Sequence, residues 1–337
     1  MYSGVHDVRA VHCTAYGPPE VLKLREVPKP EPKPGEILLR THAATVTLGD
    51  CEVRAFKMVS WVWVPARLAI GIIRPRNPVL GMEIAGEVVA LGEGASRFKL
   101  GDRIFGTTSF GMGAYADFKA LPEDGCLTLI PPELSYAEAA GITTGGTNGL
   151  HFVRQCKPQP GEKLLINGAG GSIGMFATQL AKAAGAEVTA VDKASKHDML
   201  RDLGADHVID YETTDFWRTG ERYDVIIDVV GLSPFGPSVA ALNDGGRYFL
   251  GNPHSRQMLK ALVENRRGRV KVLFKLAGEP VEDLDFLKQQ IAAGKLKMVI
   301  DRSFPLEDLA EAHRYVEGGA KQGVVVIDVS GEASSRG

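Results

Sequence analysis

The run Leu164-Leu165-Ile166-Asn167-Gly168-Ala169-Gly170-Gly171-Ser172-Ile173-Gly174 constrains this chain more than any other stretch. In it an apolar strand passes through a glycine turn into a helix-like segment, residues 175–184. Glycine is needed where the chain turns tightly, where backbone must approach a pyrophosphate and where a helix lies close on a strand, and the helix N-terminus then offers free N–H groups to phosphate. Gly168, Gly171 and Gly174 give the spacing GxxGxxG, and no Gly-Lys-Ser/Thr follows, which argues against a triphosphate-binding P-loop. A glycine triplet alone also fits a plain turn; its context points to a dinucleotide. A second strand, residues 187–191, ends on Asp192, close to the spacing of about 20 residues expected of the acid that holds an adenosine ribose. Further strands at 207–210, 223–230 and 247–250, with a helical segment at 196–203, predict an α/β domain with a doubly wound parallel sheet.

At 337 residues the chain suits two domains rather than one core. A net charge of −2 provides no global field to attract nucleic acid. Cys13, Cys51, Cys126 and Cys156 show no CxxC spacing, which argues against a disulfide framework or a cysteine-rich zinc site and fits thiols in a reducing compartment. The first ten residues lack a basic region followed by an apolar core, so a cytoplasmic protein is expected.

Residues 58–73 form the most apolar stretch, yet they fall short of the roughly 20 residues a spanning helix needs and are interrupted by Pro65 and Arg67. No membrane span is expected. A core segment is the favoured reading there, and an apolar flap over a pocket or against a membrane surface is the other. The locally basic residues 256–275 read as a solvated surface. The first part of the chain is strand-rich (10–14, 22–27, 37–42 and the glycine-interrupted 81–92), with helical periodicity nearly absent, as in a small barrel. Ser135, with Glu138 three residues on, is a capping-box signature that opens a helix. The expected organisation is therefore 1–132, then a nucleotide-binding domain over 133–276, then 277–337 returning to the first domain as helix, strand, helix, strand, with 324–327 the last strand. Only residues 331–337 read as a disordered tail.

Taken in order, several segments resemble the medium-chain dehydrogenase/reductase family, in its zinc-independent quinone oxidoreductase-like branch. They are Tyr16-Gly17-Pro18-Pro19-Glu20-Val21-Leu22, the Gly81 to Gly86 segment, Gly101-Asp102-Arg103-Ile104-Phe105-Gly106, the glycine turn, Leu203-Gly204-Ala205-Asp206-His207-Val208-Ile209-Asp210-Tyr211 and Asp228-Val229-Val230-Gly231. The resemblance covers nearly the whole chain. It implies a GroES-like β-barrel catalytic domain into which a Rossmann domain is inserted, with substrate and nicotinamide meeting in the cleft between them. It also implies a homodimer formed through the nucleotide-binding sheet, for which residues 247–250 are the expected edge.

Zinc-dependent members of the family carry a cysteine three residues before an aspartate, a histidine in Gly-His-Glu, and a second cysteine near the domain join. The matching positions here are Thr47 before Asp50, Met82 in Gly81-Met82-Glu83 and approximately Thr144, none of which is a normal zinc ligand. No metal is expected. Without a Lewis acid, alcohol oxidation becomes the less favoured chemistry. Zinc-free relatives pass a hydride from NAD(P)H to a quinone or to the β-carbon of an α,β-unsaturated carbonyl. That chemistry needs a near-attack geometry and a hydrogen-bond donor where charge develops. Thr47 is the candidate donor. Asp50 is a candidate to orient the loop or relay a proton, and a structural turn contact is its equal alternative. The resemblance puts the dinucleotide on Gly168, Gly171, Ser172, Ile173 and Gly174, with Tyr211 near the adenosine, Val230 and Gly231 near the nicotinamide, and Asn148 where relatives have threonine. Asp192 favours NADH, the habit of the branch is NADPH, and Lys196 can neutralise a 2′-phosphate or simply begin a helix. The expected partner is a small apolar carbonyl or quinone. The alternatives are a metal-free alcohol dehydrogenase and a cofactor-bound protein without catalysis.

Overall fold

The computed structural model describes residues 7–58 and 60–331, and of Ser60, Trp61 and Phe110 the backbone alone. The tail expected to be disordered lies, beyond Gly331, outside the described residues. The chain forms two compact units. One contains the described residues through Thr144 together with Pro280–Ala293 and those from Met298 on, and the other contains Gly145–Glu279 and Gly294–Lys297.

In the first unit β1 (Asp7–Cys13) pairs antiparallel with β2 (Leu22–Pro28), Cys13 opposite Leu22. The long β3 (Glu36–Val46) is followed by two helices, α1 (Leu48–Ala55) and α2 (Ser60–Ile70), then by β4 (Glu83–Leu91), β5 (Arg103–Thr107), β6 (Phe118–Pro122) and β7 (Leu127–Leu129). Strands β3, β4, β5 and β7 pair antiparallel in that order, and β6 pairs with β3. Gly86 lets β4 lie close on β3, since a Cβ there would stand 2.1 Å from the carbonyl oxygen of Arg40 on the facing strand. Ile37, Leu39, Ile84, Val88 and Ile104 point into one fully buried core.

The two helices correct the expectation of a segment nearly without helix. Helix α1 has only eight residues, too few for a 3.6-residue period to stand out, and it is held by its cap. Helix α2 is apolar nearly all round and carries no periodic signal. The favoured core reading of residues 58–73 is corrected too, for Trp63, Val64, Leu68, Ile72 and Ile73 are exposed.

Helix α3 (Tyr136–Cys156) opens on the expected capping box, Ser135 N–H and Oγ both donating to Glu138 Oε2 while Glu138 N–H donates back to Ser135 Oγ. One unit ends and the other begins inside this helix, between Thr144 and Gly145, rather than at Pro131-Pro132. The proline pair marks where a helix can start, which is a different event from a change of packing partner.

The second unit carries a six-stranded parallel sheet of β8 (Lys163–Asn167), β9 (Glu187–Asp192), β10 (His207–Asp210), β11 (Tyr223–Asp228), β12 (Leu242–Leu250) and β13 (Lys271–Leu273), ordered β10-β9-β8-β11-β12-β13. Helices α4 (Ser172–Ala183), α5 (His197–Asp202), α6 (Phe235–Ala240) and α7 (Ser255–Arg267) alternate with the strands. Leu164, Leu165 and Ile166 are fully buried, as a central parallel strand covered on both faces requires. The order reverses between β8 and β11, so the switch point where such sheets bind ligands lies at their C-terminal ends. The expected edge at 247–250 is corrected, because β12 lies inside the sheet and the edge on that side is β13, whose three residues are too few to read from sequence.

Four elements complete the chain: α8 (Val281–Ala292), β14 (Ile300–Pro305), α9 (Leu309–Glu317) and β15 (Val324–Asp328). Strand β15 pairs parallel with β14 and antiparallel with β3, extending the sheet of the first unit.

Candidate active site

The glycine turn is built as its spacing predicts. Gly168 has φ +85°, and its N–H and that of Ala169 both donate to Val191 O on β9. A Cβ on Gly174 would stand 2.2 Å from Gly168 O, so α4 reaches the turn only because that side chain is absent. Gly171 is the N-cap of α4 and has no side chain to satisfy the first N–H groups, while the space at its own Cβ position is open to 3.9 Å. An uncapped N-terminus of a 12-residue helix, at Ser172 and Ile173, beside an open position is the environment a pyrophosphate requires.

Asp192 ends β9 almost fully buried, and its contacts are specific. Oδ2 accepts the Gly170 N–H at 2.7 Å, and Oδ1 accepts the Lys193 N–H at 2.9 Å and pairs with Lys196 Nζ at 2.9 Å. Lys196 is itself buried, with its stem across the turn where a Cβ on Gly170 would meet its Cδ at 2.4 Å. It does stand at the start of α5, as one of its two readings had it, but buried and paired rather than on an exposed loop. Tyr211 and Val230 are exposed near the ends of β10 and β11, and Asn148 lies on α3.

Sequence reasoning missed Asp228. Fully buried at the end of β11, it accepts hydrogen bonds from Asn167 Nδ2, the Gly231 N–H and Tyr248 O–H at 2.9–3.0 Å, which fixes the Val229-Val230-Gly231 turn beside the glycine turn. The signal was available as an acid closing an otherwise apolar strand. Missed as well was the pair Gly145 and Gly149, where a Cβ would come within 2.9 Å of Ser172 Cβ and of Ile173 O respectively, so their absence lets α3 lie against α4.

The first unit gathers a second constellation. Thr47 is the N-cap of α1: its Oγ1 accepts the Asp50 N–H at 3.1 Å and donates to Asp50 Oδ2 at 2.6 Å, while the Thr47 N–H donates to the same oxygen at 2.9 Å. Asp50 and Glu83 are both buried, and burial pushes both carboxyls above the ordinary range. The Thr47 hydrogen bonds and the charge of Lys321 pull Asp50 the other way. Glu83 accepts the hydroxyl of Thr45 and, at 2.7 Å, the Thr144 N–H. Tyr115 donates to Thr45 O at 2.9 Å, and its burial beside Asp50 drives its phenol well above the usual value. Met82 Cε and Thr47 Oγ1 each lie 3.5 Å from the Cβ position of Gly49. Of the three positions named from sequence, Thr47 and Met82 therefore flank one point, and Thr144 is joined through its N–H to Glu83, the residue after Met82. As donors they offer two hydroxyls and a thioether, which do not fit zinc. Among the described residues no group of three or more His, Cys, Asp or Glu is placed to hold a metal ion.

Residues 33–132 match the alcohol dehydrogenase GroES-like domain, and residues 203–327 match the zinc-binding dehydrogenase family. The chain is 31% identical over 343 residues to the chloroplastic quinone-oxidoreductase QR1 of Triphysaria versicolor, covering 95% of this chain and 98% of that protein. The chain belongs to the medium-chain dehydrogenase/reductase family, in its quinone oxidoreductase-like branch. It is also similar to a trans-enoyl reductase, pgmF of Aspergillus terreus, at 28% identity over 323 residues, with 88% of this chain and 87% of that protein covered. Among solved structures, the quinone oxidoreductase from Coxiella burnetii superposes with a TM-score of 0.85 at 27% identity, over 96% of this chain and all of that one. Membership makes the chain an NAD(P)H-dependent oxidoreductase with a GroES-like domain and a Rossmann domain. No helix among the described residues is long and apolar enough to cross a membrane.

Proposed function

We propose that the protein reduces a quinone, or the carbon–carbon double bond of an α,β-unsaturated carbonyl, with NAD(P)H and without zinc. What supports this reading is that Thr47, Met82 and Thr144, which by resemblance stand where zinc-dependent relatives carry their ligands, offer two hydroxyls and a thioether beside the buried Asp50 and Glu83, in a chain that keeps its glycine turn. The names of its relatives, quinone oxidoreductase and enoyl reductase, support it.

A bound reduced dinucleotide supplies a hydride from C4 of its nicotinamide. The residues that would hold it are Gly168, Gly171 and Gly174 with the α4 N-terminus at Ser172 and Ile173 for the pyrophosphate, Asp192 and Lys196 with Tyr211 at the adenosine end, and Val230, Gly231 and Asn148 toward the nicotinamide. Asp192 with Lys196 seated on it is a closed ion pair, which repels a 2′-phosphate less than a bare carboxylate would, so both cofactors stay within reach.

The acceptor's oxygen needs a donor as the hydride arrives, and ultimately a proton. While Asp50 is ionised, it takes the only hydroxyl proton of Thr47. Once Asp50 is protonated the bond reverses. Asp50 donates to Thr47 Oγ1, and the Thr47 hydroxyl is free to donate to the acceptor. The raised affinity of Asp50 for its proton serves that arrangement. One hydride and this one proton balance either reduction: an enone passes through its enol to the saturated carbonyl, a quinone becomes the hydroquinone, and Asp50 regains its proton from water. Consumption of NADH or NADPH with simple quinones and 2-alkenals tests the reading. Tight cofactor binding with no turnover on any such acceptor contradicts it.

A further inference from the structure

Helix α2 has its polarity reversed. A surface helix normally turns its charged residues to water, yet here the outward face carries Val64 and Leu68, each 59% exposed, with Trp63 at 44%. Ile72, 64% exposed, and Ile73, 85% exposed, continue the apolar surface into the turn that follows. The charged residue of the helix, Arg67, is half-buried and lies over aromatic rings. Its guanidinium lies 3.7 Å from the ring centroid of Phe56 and 4.6 Å from that of Tyr16, and it donates to Ile72 O. The turn is fixed in place, for the Tyr16 hydroxyl donates to Gly71 O at 2.8 Å and the Arg76 N–H to Ile70 O at 2.7 Å. The two isoleucines are thus held out by structure. Neighbouring exposed apolar side chains of this size mark an interaction surface.

Charge identifies the partner. Between Glu52 and Glu83 the sequence contains no carboxylate, and Arg54, Lys57, Arg67, Arg74 and Arg76 all fall there, five positive charges in a chain whose net charge is −2. Lys57, Arg74 and Arg76 are exposed, and none of the three makes an ion pair among the described residues. A rigid apolar ridge bordered by unpaired cations matches an interface of hydrocarbon below and phosphate above.

We propose that α2 and the turn at 71–76 dock the protein on an anionic lipid surface, with Leu68, Ile72 and Ile73 entering the acyl boundary and Arg74 and Arg76 meeting the headgroup phosphates. The full-length protein is sedimented with phosphatidylcholine vesicles and with vesicles that also contain phosphatidylglycerol, at low and high salt, while light scattering reports its mass in solution. The wild type is expected to pellet with the anionic vesicles and to release partly as salt rises. Leu68→Glu with Ile73→Glu should weaken retention at least about tenfold, and Arg74→Gln with Arg76→Gln about thirtyfold, at about 1 kcal/mol for each cation. All four positions are exposed, so both variants should keep the wild-type circular dichroism. Absence of retention on anionic vesicles, or retention that neither variant changes, overturns the proposal. So does a dimer in solution that Leu68→Glu with Ile73→Glu splits while no vesicle binding is seen, since a second copy would then be what covers this face.

Discussion

The hydroxyl of Thr47 has one proton, and the state of Asp50 decides where it points. Burial raises the Asp50 pKa, so the carboxyl keeps its proton to higher pH than a free one and ionises as pH rises, and turnover that needs the protonated form should fall with rising pH. Asp50→Asn keeps the hydrogen bonds of the cap and has no proton to release. It should slow turnover roughly 100-fold, flatten that fall and leave cofactor affinity nearly unchanged. Thr47→Val should also slow turnover, at a stability cost of about 1 kcal/mol for the lost cap. Steady-state rates against pH, with cofactor binding by fluorescence, check both, and unchanged rates would remove the pair from the mechanism. At the dinucleotide end, Lys196→Ala leaves Asp192 as an unpaired carboxylate. The KM for NADPH should rise roughly tenfold or more and that for NADH much less. Equal changes in both would mean that the lysine serves only the fold. Much at this scale was legible in the sequence: Thr47 and Asp50 stand together, and Asp192 ends its strand beside the glycine turn. Its partner across the turn was not legible, because the burial of Lys196 depends on the missing side chain of Gly170, a contact of tertiary structure rather than of spacing.

Helix α4 is an element whose entrance is left open. Gly171 has φ −88° and free space at its Cβ, and aspartate is a favourable N-cap. Gly171→Asp should therefore fold as well as the wild type while placing a carboxylate where the pyrophosphate belongs. Cofactor affinity should drop by about two orders of magnitude, roughly 2.7 kcal/mol, with the melting temperature held or raised. Calorimetry reports both, and retained affinity would move the phosphate site elsewhere. Helices α1 and α9 supply a second test. Cys51 Sγ lies 3.3 Å from His313 Nδ1, both side chains are buried, and His313 Nε2 has no hydrogen-bond partner among the described residues. Burial lowers the His313 pKa from 6.5 to about 3. The folded state thus keeps the ring neutral while the unfolded chain gains a proton below pH 6.5. Stability is complete above that value and is lost as pH falls toward 3, by about 5 kcal/mol in all. Denaturant melts across this window should show the slope in the wild type and a shallower one in His313→Leu. Parallel slopes would contradict the assignment. Apolar runs bounded by glycine, proline and acidic residues made most strands readable in advance. Helices α1 and α2 were not, one being too short and the other too uniformly apolar for any period, and β13 escaped because three residues carry no pattern.

For the molecule as a whole, the order of motifs identified the family before any coordinate did, since a strand, a glycine turn and a terminal acid must occur in that order to build one nucleotide site. The division into units was less legible. Chemistry that breaks a helix, such as Pro131-Pro132, is visible in a sequence, whereas the boundary inside α3 is set by which side chains pack together. The charge distribution was legible only in part: a total of −2 conceals the carboxylate-free stretch before Glu83. The central claim is that hydride passes from the nicotinamide to an organic acceptor with no metal involved. Its most direct test follows the label from 4-deuterated NAD(P)H into a 2-alkenal, using enzyme treated with a strong chelator and checked for metal by elemental analysis. The account predicts one deuterium at the β-carbon of the saturated product and a rate unchanged by the chelator. Activity that vanishes on chelation and returns with zinc, or a product without deuterium at that carbon, would contradict it.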